Sequence, residues 1–350
     1  MAEEAKTEPA LSQTFAVLAV QAEKIGGKRV AFNNRSLDAD VPIIVTNIER
    51  VDPPSRCACS GFCCMTTLLC CDCMCCCPVE VEYFEAETLT MEEFATAISE
   101  MKEVTDVMLF IHGYTLQPSD VLSLKGGCQD IQDSYLPNIL VVPVIWSSVM
   151  MRKQYETTRI LGWMVDRSRA STAAKQIGMF FSQATAKCKE SKVVADVFQS
   201  GMFHLYAHSM GTYVFFRTAE AFSEEDLTGG FKFGLVVIKQ GNAPPDWFQA
   251  DSDNFKNSGS KVVHMGKRLL ITYATEDTRL NQLENIKLAT KIYGHNNLGA
   301  LGPGDTKHIP NIKVVNSAAL MPDLENYHCF HKNEAFVKLI KENIEQVRIS

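Results

Sequence analysis

The chain has 350 residues, which is enough for one large α/β domain and an additional segment. Hydrophobic residues make up 46% of it and charged residues 21%, an ordinary balance for a globular protein. Asp and Glu (41) outnumber Lys and Arg (34), and the resulting net charge of −7 argues against a nucleic-acid partner. The polar, acidic start of the chain predicts no signal peptide, and Ala2 stands where N-myristoylation requires glycine.

The first segment, residues 1–56, is predicted to be a small β extension with no chemistry of its own. Residues 1–12 have the composition of a disordered tail. Two β-like runs follow, Phe15–Val20 and Val41–Val45, and Asn33-Asn34 marks a turn between them.

Cysteine is concentrated in the second segment, residues 57–78. Ten of the 13 cysteines lie between Cys57 and Cys77, where apolar residues such as Leu68 and Leu69 accompany them. A secreted disulfide protein would distribute its cysteines through the fold, so this pattern indicates a reducing, cytoplasmic compartment.

Three interpretations of the cysteine-rich segment compete. S-acylation is favoured, because several acyl chains together make a stable peripheral membrane anchor, and the run resembles acylated cysteine strings in composition. The acylation candidates are Cys63, Cys64, Cys70, Cys71, Cys73, Cys75, Cys76 and Cys77. A metal site is the second interpretation, but a C-x2-C spacing arises by chance in so dense a run, and no His lies nearby. A transmembrane or bland apolar insertion is the third, and Asp72 weakens it.

The third segment, residues 79–350, alternates predicted strands and helices. The predicted strands are Val79–Phe84, Asp106–Ile111, Ile139–Trp146, Met202–Ala207, Phe233–Ile238, Arg268–Ala274 and Ile312–Asn316. The predicted helices are Met91–Lys102, Ser168–Lys189, Thr212–Ala221 and Glu334–Val347. This alternation predicts an α/β fold with a mostly parallel central sheet and helices on both faces. In such sheets the chemistry lies at the carboxyl ends of the strands.

The stretch Ala207-His208-Ser209-Met210-Gly211 is a variant of the nucleophile elbow G-x-S-x-G. A strand leads into Ser209 and a helix leads out, so the chain must turn sharply there. Ala207 and Gly211 are small enough for that turn, although glycine is commoner at the first position. Ser209 is therefore the predicted nucleophile, and an ordinary helix N-cap is the alternative.

A serine nucleophile needs a base and an acid that orients the base, in the chain order Ser, Asp or Glu, His. Asp277 follows one predicted strand, and His328 lies in the loop after the last, so they are the predicted acid and base. Asp277 has the alternative of capping the helix that starts near Thr278. The competing residues are Glu276 and Asp323 for the acid, and His331 and His308 for the base.

Two backbone amides are predicted to stabilise the oxyanion. One is that of Met210, directly after the nucleophile, and the other is that of Tyr114, after the His112-Gly113 step. His112 and His208 are predicted to shape the loops around the site rather than to transfer protons. The sequence of the third segment suggests no metal-ligand cluster, and the predicted chemistry needs no cofactor.

Four stretches resemble the uncharacterised α/β-hydrolases of bacterial type, which are known only as hydrolases or esterases. They are Val107–Tyr114, Val141–Ser148, Ala207–Gly211 and Ile271–Leu280. The resemblance covers roughly residues 105–340 and leaves residues 1–80 outside. It implies the α/β-hydrolase fold, with Asp277 as the acid and His328 as the base.

The expected function is that of a serine hydrolase of the carboxylesterase, lipase or thioesterase type. Its substrate would be a small-molecule or lipid acyl ester or thioester, and the cysteine-rich segment would hold it peripherally on a membrane. A catalytically silent α/β-hydrolase fold that serves as a membrane-bound binding or scaffold protein is the alternative from another class. An acyltransferase with the same triad is a third possibility. The sequence does not indicate the oligomeric state.

Overall fold

The structure, a computed structural model, describes most of the third segment and short parts of the first. The described residues are 30–33, 43–51, 83–102, 104–114, 128–135, 139–146, 156–222, 231–284 and 297–349. The cysteine-rich segment with its eight acylation candidates, and the predicted strand Phe15–Val20, lie outside the described residues.

The described strands form a single sheet. They are β1 (Val30–Asn33), β2 (Ile43–Val51), β3 (Tyr83–Leu89), β4 (Asp106–Ile111), β5 (Ile139–Ile145), β6 (Phe203–His208), β7 (Phe233–Lys239), β8 (Gly266–Tyr273) and β9 (Ile312–Asn316). Their order is β3-β2-β1-β5-β4-β6-β7-β8-β9. The six strands from β5 to β9 in that order are all parallel. The strand β1 runs parallel to β5, whereas β2 is antiparallel to both β1 and β3.

Helices cover both faces of the sheet. They are α1 (Met91–Glu100), α2 (Cys128–Tyr135), α3 (Glu156–Glu190), α4 (Lys192–Phe198), α5 (Met210–Glu220), α6 (Ser260–Met265), α7 (Thr278–Glu284), α8 (Leu298–Leu301), α9 (Ser317–Leu320) and α10 (Glu334–Ile349). The predicted α/β class, with its mostly parallel sheet, is confirmed. Among the described helices, none combines the length and the apolar character that crossing a membrane requires.

The alternation of side chains along β4 shows how the two faces are filled. Val107, Leu109 and Ile111 belong to a core that also contains α1, α3, α4 and α5. Met108 and Phe110 point to the other side, into a core formed with α2 and α10. Because both faces are covered, the strand is apolar at nearly every position, as is typical of parallel sheets.

Some predicted boundaries differ from the observed ones. The helix α3 begins at Glu156 rather than Ser168, since no proline between these positions ends it. The strand β3 runs to Leu89 instead of ending at Phe84, because its pairing with β2 continues to Leu89. The strand β1 extends to Asn33, where a turn was expected, because it pairs with both β2 and β5.

A buried polar cluster connects β4, β6, β7 and α10. Asp106 Oδ1 accepts a hydrogen bond from His204 Nε2 at 2.9 Å, and Leu235 donates its backbone N–H to His204 Nδ1 at 2.9 Å. Arg348 of α10 forms an ion pair with the other oxygen of Asp106. Burial would raise the pKa of Asp106, but hydrogen bonds, that from His204 foremost, outweigh burial and hold this pKa below the ordinary value of 3.8.

A lowered carboxylate pKa stabilises the fold above the unfolded-state pKa, and this stabilisation is lost as the pH falls through the folded-state pKa. We therefore expect Asp106→Asn to reduce the free energy of unfolding by roughly 3–5 kcal/mol at neutral pH, because it removes one partner of a buried ion pair. The difference from the wild type should shrink below pH 3.8, the ordinary pKa of the group. Urea denaturation at a series of pH values measures both effects.

Asp253→Asn serves as the control, because the Asp253 side chain is 94% exposed and its ion pair with Lys256 is long, at 3.8 Å. It should change the stability by less than about 0.5 kcal/mol at any pH. A difference between the wild type and Asp106→Asn that stays constant with pH would contradict the linkage.

Candidate active site

Ser209 lies at a sharp bend between β6 and α5. Its backbone has φ +52° and ψ −120°, a conformation that residues with a Cβ rarely adopt. Three backbone hydrogen bonds hold the bend: Ser209 donates to Lys239 O, and its own carbonyl accepts from Thr212 and Asn242 at 3.1 and 2.9 Å. The Ser209 side chain makes no capping hydrogen bond to α5. Ser209 therefore has a strained backbone between a strand and a helix, and its side chain does not cap α5.

Two glycines allow the close approach of chains around this bend. A Cβ on Gly211 would lie 2.2 Å from the carbonyl oxygen of Ile111 and 2.6 Å from that of His112. A Cβ on Gly113 would lie 2.9 Å from the Ser209 Cβ. The start of α5 thus packs directly under the end of β4, and the loop that follows β4 passes beside Ser209.

Asp277 and His328 meet beyond the ends of β8 and β9. His328 Nδ1 donates to Asp277 Oδ2 at 2.8 Å, and these side chains are only 8% and 0% exposed. Asp277 Oδ1 also accepts the backbone N–H groups of Arg279 and Leu280, both at 3.1 Å. Asp277 therefore caps α7 with one oxygen and binds the imidazole with the other.

The electrostatics of this pair favour an ionised Asp277 and a neutral His328. Burial would raise the pKa of Asp277, but the hydrogen bond from His328 and the backbone amides lower it below its ordinary value. Burial lowers the pKa of His328, although Asp277 acts in the opposite direction. Since the carboxylate can only accept, the His328 proton sits on Nδ1 and the lone pair on Nε2.

The other residues considered from the sequence have different partners. His331 Nδ1 bonds the Tyr206 hydroxyl at 2.7 Å, and His308 packs edge-on against Phe255. Glu276 bonds its neighbour Thr275 at the surface, and Asp323 is exposed. Of the acids and histidines considered, Asp277 and His328 are the two that contact each other.

His328 also lies beside the residue that precedes Ser209. The ring centroids of His208 and His328 are 4.8 Å apart, and His208 Nε2 donates to the His328 carbonyl at 3.0 Å. Among the hydrogen bonds of the described residues there is none between Ser209 Oγ and His328 Nε2. Such bonds are often long in enzymes without substrate and tighten when it binds.

One predicted oxyanion donor follows Ser209 in the chain, and the other follows Gly113, which packs against Ser209. Met210 is the first residue of α5, where backbone N–H groups have no acceptor within the helix. Tyr114 follows Gly113, is half-buried and packs against the core. The His112 ring stacks on Trp146 with a centroid distance of 5.3 Å, and its Nδ1 donates to Gly113 O at 2.8 Å.

Lys239, at the end of β7, is a feature that the sequence analysis missed. Its ammonium group is buried, donates to the His328 carbonyl and lies 3.9 Å from the centroid of the Phe330 ring. Burial lowers the pKa of Lys239 to about 7. A charged residue that ends an otherwise apolar strand, Phe233–Lys239, was the only signal in the sequence.

Comparison with known proteins gives remote structural likenesses. No family model and no curated protein matches the chain. An inhibited esterase B from Lactobacillus rhamnosis has a TM-score of 0.36 at 12% identity, over 71% of this chain and 78% of the other. A provisionally described carboxylesterase from Lactobacillus plantarum has a TM-score of 0.37 at 10% identity, over 95% of this chain and 98% of the other. An S-formylglutathione hydrolase from Staphylococcus aureus has a TM-score of 0.32 at 12% identity, over 96% of this chain and 98% of the other.

These likenesses concern the fold alone. The described residues have the α/β fold with a mostly parallel sheet that the sequence predicts, and the chain turns sharply at Ser209 between β6 and α5. What this particular chain does must be inferred from the chemistry of its own residues.

The strain at Ser209 leads to a prediction about stability. Glycine adopts a positive φ without cost, whereas alanine keeps the Cβ and therefore the strain. We expect Ser209→Gly to exceed Ser209→Ala by about 1 kcal/mol in the free energy of unfolding, measured by urea denaturation.

Ser99 provides the matched pair, because it is an exposed residue inside α1. There, the order should be reversed, with Ser99→Ala more stable than Ser99→Gly by about 1 kcal/mol. If alanine is the more stable variant at both positions, the elbow is not strained.

Proposed function

We propose that the chain is a serine hydrolase that cleaves an ester or thioester. Ser209 is the nucleophile, His328 the general base and Asp277 the acid that orients it. The observation that carries the proposal is the buried 2.8 Å hydrogen bond between Asp277 and His328, at the same edge of the sheet as the strained Ser209. Capping α7 does not require Asp277 to bond a histidine. Backbone strain costs stability and clusters at functional sites, so the strain at Ser209 supports a functional role.

The proposed reaction follows from the protonation states. His328 Nε2 takes the Ser209 proton as Oγ attacks the carbonyl carbon, and returns it to the leaving alcohol or thiol. Asp277 stays ionised and stabilises the imidazolium. The amides of Met210 and Tyr114 donate to the oxyanion, and water then hydrolyses the acyl enzyme by the same steps. This chemistry uses only residues of the chain.

The decisive experiment is labelling with a fluorophosphonate, which reacts with activated serines. The wild type should be labelled and Ser209→Ala should not, while both should give the same circular dichroism spectrum. Absence of labelling from both folded proteins would reject the hydrolase and favour the catalytically silent binding protein. Acyl ester and thioester panels then identify the leaving group, and transfer to added alcohols separates an acyltransferase from a hydrolase.

Asp277→Asn tests the orienting acid. The amide oxygen can still cap α7, so the fold should persist, but the amide does not hold the imidazole in the required tautomer. We expect the labelling rate to fall on the order of 10³–10⁴-fold. Glu276→Gln is the control, because Glu276 is adjacent in sequence and exposed, and its labelling rate should equal that of the wild type. Similar rates for the two variants would contradict the assignment of Asp277.

We further propose that S-acylation of the cysteine-rich segment holds the enzyme on a membrane. The support is compositional: ten of the 13 cysteines lie within residues 57–77 among apolar neighbours. This location would favour lipid or long acyl substrates.

Membrane fractionation of cells that express the full chain tests the anchor. The protein should sediment with membranes and be released by neutral hydroxylamine, which cleaves thioesters. Replacing the ten cysteines of residues 57–77 with serine should shift it to the supernatant. Replacing Cys329, which is exposed in the catalytic domain, should not. A ten-serine variant that still sediments with membranes would reject acylation.

A further inference from the structure

Three potential metal ligands from distant parts of the chain meet behind the candidate triad. They are His208 at the end of β6, and Cys329 and His331 in the loop that precedes α10. Their ligand atoms all lie within 4.8 Å of one another. The two histidines are buried, and Cys329 is exposed and free.

The imidazole of His208 is held in a state that suits a ligand. Its Nε2 lies 3.0 Å from the His328 carbonyl, and since a carbonyl only accepts, Nε2 must carry the proton. The lone pair is therefore on Nδ1, which is buried and has no hydrogen-bond partner among the described residues. The residue is only 5% exposed. A buried polar atom without a partner is rare in folded proteins, and a neutral imidazole nitrogen with a free lone pair is the commonest metal ligand in proteins.

His331 is oriented by a buried partner as well. Its Nδ1 lies 2.7 Å from the Tyr206 hydroxyl, and in the tautomer with the proton on Nδ1 the ring donates to the Tyr206 oxygen and keeps its lone pair on Nε2. Metal-binding histidines almost always bond their second ring nitrogen to such an outer partner, which sets the orientation of the ring. The Tyr206 oxygen is that partner for His331 in this tautomer, and the His328 carbonyl is the partner for His208.

We propose that His208 Nδ1, His331 Nε2 and Cys329 Sγ bind a zinc-type divalent cation. Two imidazoles and one thiolate are the mixed nitrogen and sulfur ligands that Zn²⁺ prefers, and tetrahedral binding brings ligand atoms closer together than 4.8 Å. Cys329 lies at the surface, so the fourth position is open to water. On binding, the Cys329 thiol loses its proton to solvent and its sulfur forms the bond to the metal.

The site would connect two elements on which the candidate triad depends. His208 precedes Ser209, while Cys329 and His331 follow His328 in the loop that precedes α10. A bound cation would therefore hold that loop against β6 and stabilise the folded state. The proposal does not depend on the hydrolase activity, because the ligands and their partners are fixed by the fold alone.

The experiment uses the full chain with its ten cysteines in residues 57–77 replaced by serine, since these would bind metal themselves. In this background the remaining cysteines are Cys128, Cys188 and Cys329. Titration with Co²⁺, under a non-thiol reductant, should give a thiolate-to-metal charge-transfer band with one equivalent. Zn²⁺ should displace the Co²⁺ and raise the melting temperature.

Cys329→Ser should abolish the charge-transfer band and the rise in melting temperature, and it should fold because Cys329 is exposed. Tyr206→Phe should weaken Co²⁺ binding by about 10–100-fold through loss of the outer partner. His308→Gln, at an exposed histidine outside the cluster, is the control and should bind as the background protein does. No charge-transfer band in the folded background, or a band that survives in Cys329→Ser, would overturn the site.

Discussion

The bend of the backbone at Ser209 is the constraint on which the rest of the site depends. Its N–H and C=O are bonded to Lys239 and Asn242, at and beyond the end of β7, so the register between β6 and β7 fixes the bend. Gly211 lets α5 begin directly under β4. A relaxed bend would turn the Ser209 hydroxyl, the Met210 amide and the His208 ring away from the sheet edge together. The strained conformation of Ser209 is therefore held in place by contacts with β4, β6 and β7.

Burial has opposite consequences for the acid and the nitrogen bases of this region. It lowers the pKa of His208, His328, His331 and Lys239, because a charged form loses its hydration there. Burial alone would raise the pKa of Asp277, but this pKa stays low because a histidine and two backbone amides donate hydrogen bonds to the carboxylate. The region thus holds one carboxylate with a lowered pKa among nitrogen atoms that favour their neutral, lone-pair form. Both a general base and a metal ligand need that form.

The carboxyl ends of the parallel strands were predictable from the sequence, because apolar runs such as Phe233–Ile238 mark the strands and parallel strands bring these ends together. The same rule predicts that Ser209, Asp277 and His328 lie at one edge of the sheet. It does not predict contacts between side chains of distant segments. Lys239 looks like an ordinary strand terminus until the loop from His328 onward is placed over it. The meeting of His208 with Cys329 and His331 depends on that same loop, whose path no local pattern encodes.

The loop that carries His328 is restrained in two independent ways. The His328 carbonyl accepts hydrogen bonds from Lys239 and His208, and the His328 imidazole is bonded to Asp277. The main chain and the ring are therefore both fixed, which leaves little freedom for His328 to approach Ser209. Within the described residues the Ser209 hydroxyl makes no hydrogen bond, so its side-chain torsion is not held by one. The proposed catalysis therefore requires Ser209 Oγ to reach a His328 Nε2 whose position is set by the bonds of its own loop.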